Sequence, residues 1–251
     1  SLQTLHRLLG QPSIAVMRSM GCKVPDTFVC DICRTTKAGR IHLPPRRDST
    51  RAQRPLFRVH ADFLVAGHTR ADGRNPHVSV RDYRNAMVIR DEYTGFTWII
   101  LLATTAHQTL IPALTSWITR VERETSQNIL HVVADQGSEF HSTSMKALFQ
   151  QKGIHYHPAE TAEPRQNGVA ERAIQQLKTV MRALVQTSNC PTMYWCFALQ
   201  EACRIVNRLP RAKQTRTAIK GNNPFKLYHG FDYPYDRCRV FGCRAFVKVN
   251  P

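Results

Sequence analysis

Chemistry enters this sequence through three acids. Asp62 sits in FRVHADF, residues 57–63, whose alternating faces predict a strand. Asp135 ends the β-branched run ILHVVA at 129–134, and the following Gln136 and Gly137 turn the chain, so this acid is expected at the C-terminal end of a second strand. Glu171 stands on the first turns of an amphipathic helix, with 35 residues between it and Asp135. Carboxylates gathered in one cleft repel by roughly 4 kcal/mol per pair at ~4 Å and an effective dielectric near 20. Divalent cations remove that cost. Oxygen-only ligands suit Mg²⁺ or Mn²⁺, the ions that activate water and phosphoryl oxygens in two-metal sites.

The elements that must hold these acids are legible from periodicity. Ala170, Ala173, Ile174, Leu177, Met181 and Leu184 recur at three- and four-residue spacing, a buried stripe with Glu171 beside it. Residues 86–91 and 96–104 read as two strands of a hairpin joined through EYTG. Asp91 and Glu92, at its turn, are read as solvated and left out of the site. A helix should follow, capped by Thr105, with Leu110, Leu114, Trp117 or Ile118, and Val121 inward. After the Asp135 strand come a short helix over 142–152 ended by Gly153 and a last strand over 154–157, whose His155 and His157 read as bystanders. The stretch 158–168 reads as a loop, ordinary or mobile, and Pro191 is expected to open a further helix that is core-facing or an oligomer contact. Three strands, a crossover helix and a parallel fourth strand give an α/β class, a mixed five-stranded sheet flanked by helices.

The 251-residue chain carries a formal charge of +17, which points to a polyanionic partner. No basic amphipathic helix, lipidation signal or bilayer-length apolar run is present to favour a membrane surface. Residues 34–58 hold eight Lys/Arg against one Asp, with Pro44, Pro45 and Pro55 among them, a linker that could also lie along phosphates. Residues 202–231 hold seven Lys/Arg and no acid. The eight cysteines favour thiols or metal ligands over disulfides, and Cys190, Cys196, Cys203, Cys238 and Cys243 read as buried. A start at Ser1, inside a motif, is expected of a piece cut from a polyprotein.

Taken in order, VHADF, VIRDEYTGFTWIILL, VVADQGSEF, RQNGVAERAIQQLK and RVFGCRAFV resemble the segments of copia-type retrotransposon integrases, over nearly the whole chain. The resemblance implies a ribonuclease-H-like core with Asp62, Asp135 and Glu171 as catalytic, metal-holding carboxylates. It implies metal-dependent processing of the 3′ ends of element DNA and their transfer into target DNA. A homo-oligomer acting on double-stranded DNA in the nucleus, after assembly in a cytoplasmic particle, would follow. The expected divisions are a small helical zinc-type domain over 1–43, a basic linker over 44–56, the catalytic core over 57–210, and a basic extension over 211–251 ending in a strand. In the zinc-type domain His6, Cys30 and Cys33 match the family's ligands, but Gln11 stands where its second histidine belongs; Cys22 or His42 could complete the set, or the site is lost. On the catalytic helix, Gln175 and Lys178 return to the face of Glu171, with Arg182 a turn further, and the family grips element ends there. Two rivals carry different chemistry: a decayed copy that binds DNA without catalysis, and a ribonuclease acting on RNA–DNA hybrids.

Overall fold

The computed structural model describes residues 2–3, 14–19, 21–30, 52–65, 78–135, 137–159, 168–209, 223–234 and 238–244. The chain forms two compact units, Ser1–Thr50 and Arg51–Pro251. In the first, helix α1 (Ile14–Ser19) buries Met17 completely, and Arg18 reaches over to the Val24 carbonyl and the Asp26 carboxylate. Of the expected zinc ligands, Cys30 is half-buried, while His6 and Cys33, like Gln11 and His42, lie outside the described residues.

The second unit is built on five strands: β1 (Arg58–Val65), β2 (Asn85–Asp91), β3 (Thr97–Leu102), β4 (His131–Ala134) and β5 (His155–Pro158). Their order is β3-β2-β1-β4-β5, antiparallel through β3, β2 and β1 and parallel across β1, β4 and β5. This is the mixed sheet of a ribonuclease-H-like core. Side chains alternate between its two faces. Val59, Ala61, Met87, Ile89, Trp98 and Leu102 meet helices α2 (His107–Thr125) and α4 (Thr143–Lys152). Leu64, Ala86 and Val88 point the other way, onto α5 (Gly168–Ser188) and α6 (Trp195–Arg208). The stripe of α2 is buried as expected, through Leu110, Leu114, both Trp117 and Ile118, and Val121.

Several local readings change. The N-cap of α2 is Ala106, without a side-chain cap; the hydroxyl next to it, Thr104 Oγ1, accepts from Ala106 N–H. One extra turn, α3 (Ser138–His141), precedes α4, whose N-cap Ser142 accepts from Met145 N–H. The core begins before residue 57, because Ala52 and Leu56 are buried against it. Asp91 is not a solvated turn acid: it is fully buried and accepts from Leu56 N–H at 2.9 Å, Thr94 N–H at 2.7 Å and Thr94 Oγ1–H at 2.8 Å. It thereby ties the turn preceding β1 to the β2–β3 turn. Beyond residue 210 the chain returns to the core as α7 (Pro224–His229), capped by Asn223, which places Tyr228 against Phe96 and Trp98. The strand expected over RVFGCRAFV is coil and turn across 238–244, and Cys238 and Cys243 are exposed, while Cys196 and Cys203 are buried and Cys190 half-buried.

Two side chains link α6 to the sheet edge. Asn207 Oδ1 accepts from Thr97 N–H at 2.8 Å, and its Nδ2 donates to the Thr97 carbonyl at 2.8 Å. Cys203 Sγ–H donates to the same carbonyl at 3.1 Å.

Candidate active site

Parallel pairing sets the first two acids side by side. Ala61 is the register partner of Ala134, so Asp62 and the residue just past the end of β4, Asp135, come next in adjacent strands about 4.8 Å apart. Asp62 is half-buried and lies on the same face of β1 as Leu64, the face that α5 covers. Its Oδ1 accepts from Phe63 N–H at 2.7 Å. Asp135 is exposed, and Gly137 N–H reaches its Oδ1 at 3.3 Å. A Cβ at Gly137 would stand 3.1 Å from Asp135 Oδ1 and 2.9 Å from Glu139 Oε2, so a larger residue there would move the ends of these two acids.

Glu171 occupies the first turn of α5, where the positive end of the helix dipole favours an acid, and it is exposed. The buried stripe of α5, Ala170, Ala173, Ile174 and Leu177, turns this helix start toward β1 and β2. The other two acids bear on the Asp62 carboxyl after burial does. Burial, then the charges of Asp135 and Glu171, push its carboxyl from 3.8 up to about 6, against the Phe63 hydrogen bond and the Lys178 charge, which pull it down. Lys178 is therefore within electrostatic range of Asp62 and half-buried; Gln175 and Arg182 are exposed on the same helix. Among the described residues no three His, Cys, Asp or Glu side chains are gathered closely enough to hold one metal ion as they stand. Three negative charges do not close on each other unaided. The donor set, all oxygen and mutually repelling, fits a hard divalent cation.

Tyr156 belongs to this site, and the sequence reading missed it. Its hydroxyl donates to the Asp135 carbonyl at 2.9 Å, from the adjacent strand β5. The ring stacks on Phe149 and Phe140, with centroids 5.8 and 6.2 Å away. Burial and the nearby Asp135 charge push the phenol up to about 12, so it stays a donor across the working pH range. The aromatic partners Phe140, Phe149 and Tyr156 at strand and helix positions were a readable signal of a ring stack, though not of the hydrogen bond. Glu92, left out of the site from sequence, is engaged elsewhere, with Arg58 at 3.2 Å and His60 Nε2 at 3.3 Å. Burial raises its carboxyl, and these two partners outweigh that and leave it below the ordinary glutamate range.

No protein-family model matches the chain. Its homologues are retrovirus-related Pol polyproteins of plant transposons. It is 23% identical over 254 residues to that of transposon RE2 of Arabidopsis thaliana, and 24% identical over 256 residues to that of transposon TNT 1-94 of Nicotiana tabacum. These alignments take in 98% and 99% of the chain but 16% and 18% of the polyproteins, so the chain spans less than a fifth of the curated relatives it matches. Among solved structures, the HTLV-2 integrase catalytic core domain in complex with magnesium, in its trimeric form, superposes with a TM-score of 0.51 at 17% identity, over 71% of this chain and all of that one. A simian T-cell lymphotropic virus intasome in complex with a PP2A regulatory subunit superposes with a TM-score of 0.55 at 18% identity, over all of this chain and 81% of that one. At these identities the likeness establishes the fold, the ribonuclease-H-like core of retroviral integrases.

Proposed function

We propose that the chain is the integrase segment of a copia-type retrotransposon polyprotein, a metal-dependent DNA endonuclease and polynucleotidyl transferase. The observation that carries this reading is the parallel register that sets Asp62 beside Asp135, with Glu171 on the first turn of α5, the helix packed on the same face of the sheet. Asp62, Asp135 and Glu171 would hold the cations, Mg²⁺ or Mn²⁺ and two in number by the logic of paired-metal phosphoryl transfer. Bound there, such ions supply Lewis-acid activation of a water or 3′-hydroxyl and of the phosphoryl oxygens.

The chain's own residues hold and orient. Asp62 and Asp135 are fixed by strand register, Asp135 additionally by Tyr156 and by the Gly137 turn. Lys178, near Asp62, sets a positive charge where a DNA phosphate would approach, with Gln175 and Arg182 along the same helix. The +17 charge supplies affinity for the duplex without sequence preference. Two of the similar structures, a trimeric catalytic core and an intasome, support a homo-oligomer. Acting on chromosomal DNA, the protein would work in the nucleus, reached by way of a cytoplasmic particle. The first unit would add a zinc site through His6, Cys30 and Cys33, measurable as near-stoichiometric zinc in untagged protein.

The test is processing and joining of duplex oligonucleotides bearing element ends, in Mg²⁺ or Mn²⁺. Asp62→Asn, Asp135→Asn and Glu171→Gln should each abolish both steps and leave duplex binding intact. Strong residual activity in Glu171→Gln would refute the assignment. DNA binding without any metal-dependent cleavage by the unaltered chain would make it a catalytically decayed relative instead, and preferential cleavage of RNA–DNA hybrids a ribonuclease.

A further inference from the structure

The opposite end of β4 carries chemistry of another kind. His131 is the register partner of His155 across the parallel β4–β5 pair, and His157 follows two residues on, so the three share one face of the sheet. Nδ1 of His131 lies 2.9 Å from Nε2 of His157. The His131 ring centroid is 5.0 Å from that of His157 and 5.4 Å from that of His155. Helix α5 packs on β1 and β2, and α6 on β3; His155 and His157 are exposed and His131 half-buried. Asp135 lies four positions along from His131, about 13 Å, and two past Val133, the register partner of His157; the histidine pair therefore lies beside the carboxylate site and includes none of its acids.

We propose that His131 Nδ1 and His157 Nε2 form a chelating site for a divalent transition-metal ion that prefers right-angled coordination, of the Ni²⁺ or Cu²⁺ class. The argument is the bite. Imidazole nitrogens bind such ions at about 2.0–2.1 Å, so two of them at 90° stand about 2.9 Å apart, and at the tetrahedral angle about 3.3 Å. The observed 2.9 Å matches the first. Tetrahedral Zn²⁺ would have to spread the two rings by about 0.4 Å.

Charge and protonation agree with the geometry. Burial, followed by the neighbouring His157, Arg58 and His155, holds His131 below the ordinary histidine range, with Glu92 opposing. It is thus a neutral imidazole, the ligand form, at neutral pH. Binding needs no net proton loss: the ring whose facing nitrogen carries hydrogen adopts its other tautomer, and two nitrogen lone pairs bond the ion. Among the described residues no third His, Cys, Asp or Glu completes a cage, so water fills the remaining positions. The bound ion would clamp the edge strand β5 to β4.

The test is calorimetric titration of chelator-stripped full-length chain with Ni²⁺, in the unaltered protein, His157→Gln, His131→Gln and, as an exposed control, His141→Gln. Any ions taken by the carboxylates or by the first unit are common to all four and cancel. One Ni²⁺ should be lost or weakened in both His157→Gln and His131→Gln, by at least the roughly 10–100-fold that losing an outer partner alone costs. It should persist in His141→Gln. His157 is exposed, so that variant should keep its fold, which circular dichroism checks. Superimposable isotherms for the unaltered chain and His157→Gln would overturn the site and leave an ordinary imidazole hydrogen bond. Tighter Zn²⁺ than Ni²⁺ at the same histidines would overturn the right-angle argument.

Discussion

Replacing Asp62 by Asn should stabilise the metal-free protein at alkaline pH. Folding carries this carboxyl from 3.8 to about 6, through burial first and then the charges of Asp135 and Glu171. For an acid raised in this way the folded state holds its proton more tightly than the unfolded chain. Stability therefore falls as pH rises through the window from about 4 to 6, and the full cost of ionised Asp62 is present above it. At about 1.4 kcal/mol per pKa unit the cost reaches about 3 kcal/mol. Solvent screening of this half-exposed side chain reduces that to about 1–2 kcal/mol. Asn keeps the acceptor for Phe63 N–H and removes the charge. In chelator at pH 8, thermal unfolding of Asp62→Asn should move upward by about 2–8 °C, and the gain should vanish near pH 4. Adding Mg²⁺ or Mn²⁺ should reverse the order, because the unaltered protein alone keeps all three acids to bind it. A variant equal to or less stable than its parent at pH 8 in chelator would refute the repulsion argument.

Three further outcomes are expected. Tyr156→Phe keeps the ring stack but loses the hydroxyl on the Asp135 carbonyl, so stability should drop by about 1 kcal/mol and end processing severalfold, with a weaker apparent Mn²⁺ affinity; unchanged metal dependence would make the contact merely structural. Lys178→Ala should lower the salt slope of duplex-end binding by about one counterion, whereas Gln175→Ala should leave the slope unaltered; equal slopes in all three proteins would return this helix face to plain solvent. Asp91→Asn sets an amide N–H₂ where a buried carboxylate serves three donors, and should cost about 2–4 kcal/mol in urea denaturation, an expectation that a loss under 1 kcal/mol would contradict.

What the sequence disclosed and what it withheld divide along physical lines. Period-two alternation in 57–63 located β1, the EYTG turn between two strand-like runs located β2 and β3, and the 3.6-residue stripes placed α2 and α5, because burial on one face must repeat with the geometry of the element. The three acids stand out as candidates because their order and spacing lie within the chain. Asp91 was misread, since its burial depends on Leu56 arriving from 35 residues upstream, which leaves no local trace. Tyr156 escaped for the same reason, as a hydroxyl meeting a backbone carbonyl 21 residues away. Helix α7 did leave a signal, with Asn223 at the cap, Pro224 at the first turn and Gly230 past the end. The basic composition around it drew attention to charge instead.

The Asn207 amide has a consequence for how copies of this protein meet. A strand at the margin of a sheet offers peptide groups that any extended segment can join, and such joining has no natural limit. At Thr97, on the outermost strand β3, both the N–H and the carbonyl already face a donor and acceptor carried by a helix. An incoming strand would have to displace α6 to begin pairing there. One side chain thus acts as a terminator of sheet growth. At this point of the margin, growth of the sheet into a further copy would have to begin by breaking contacts that the fold already makes.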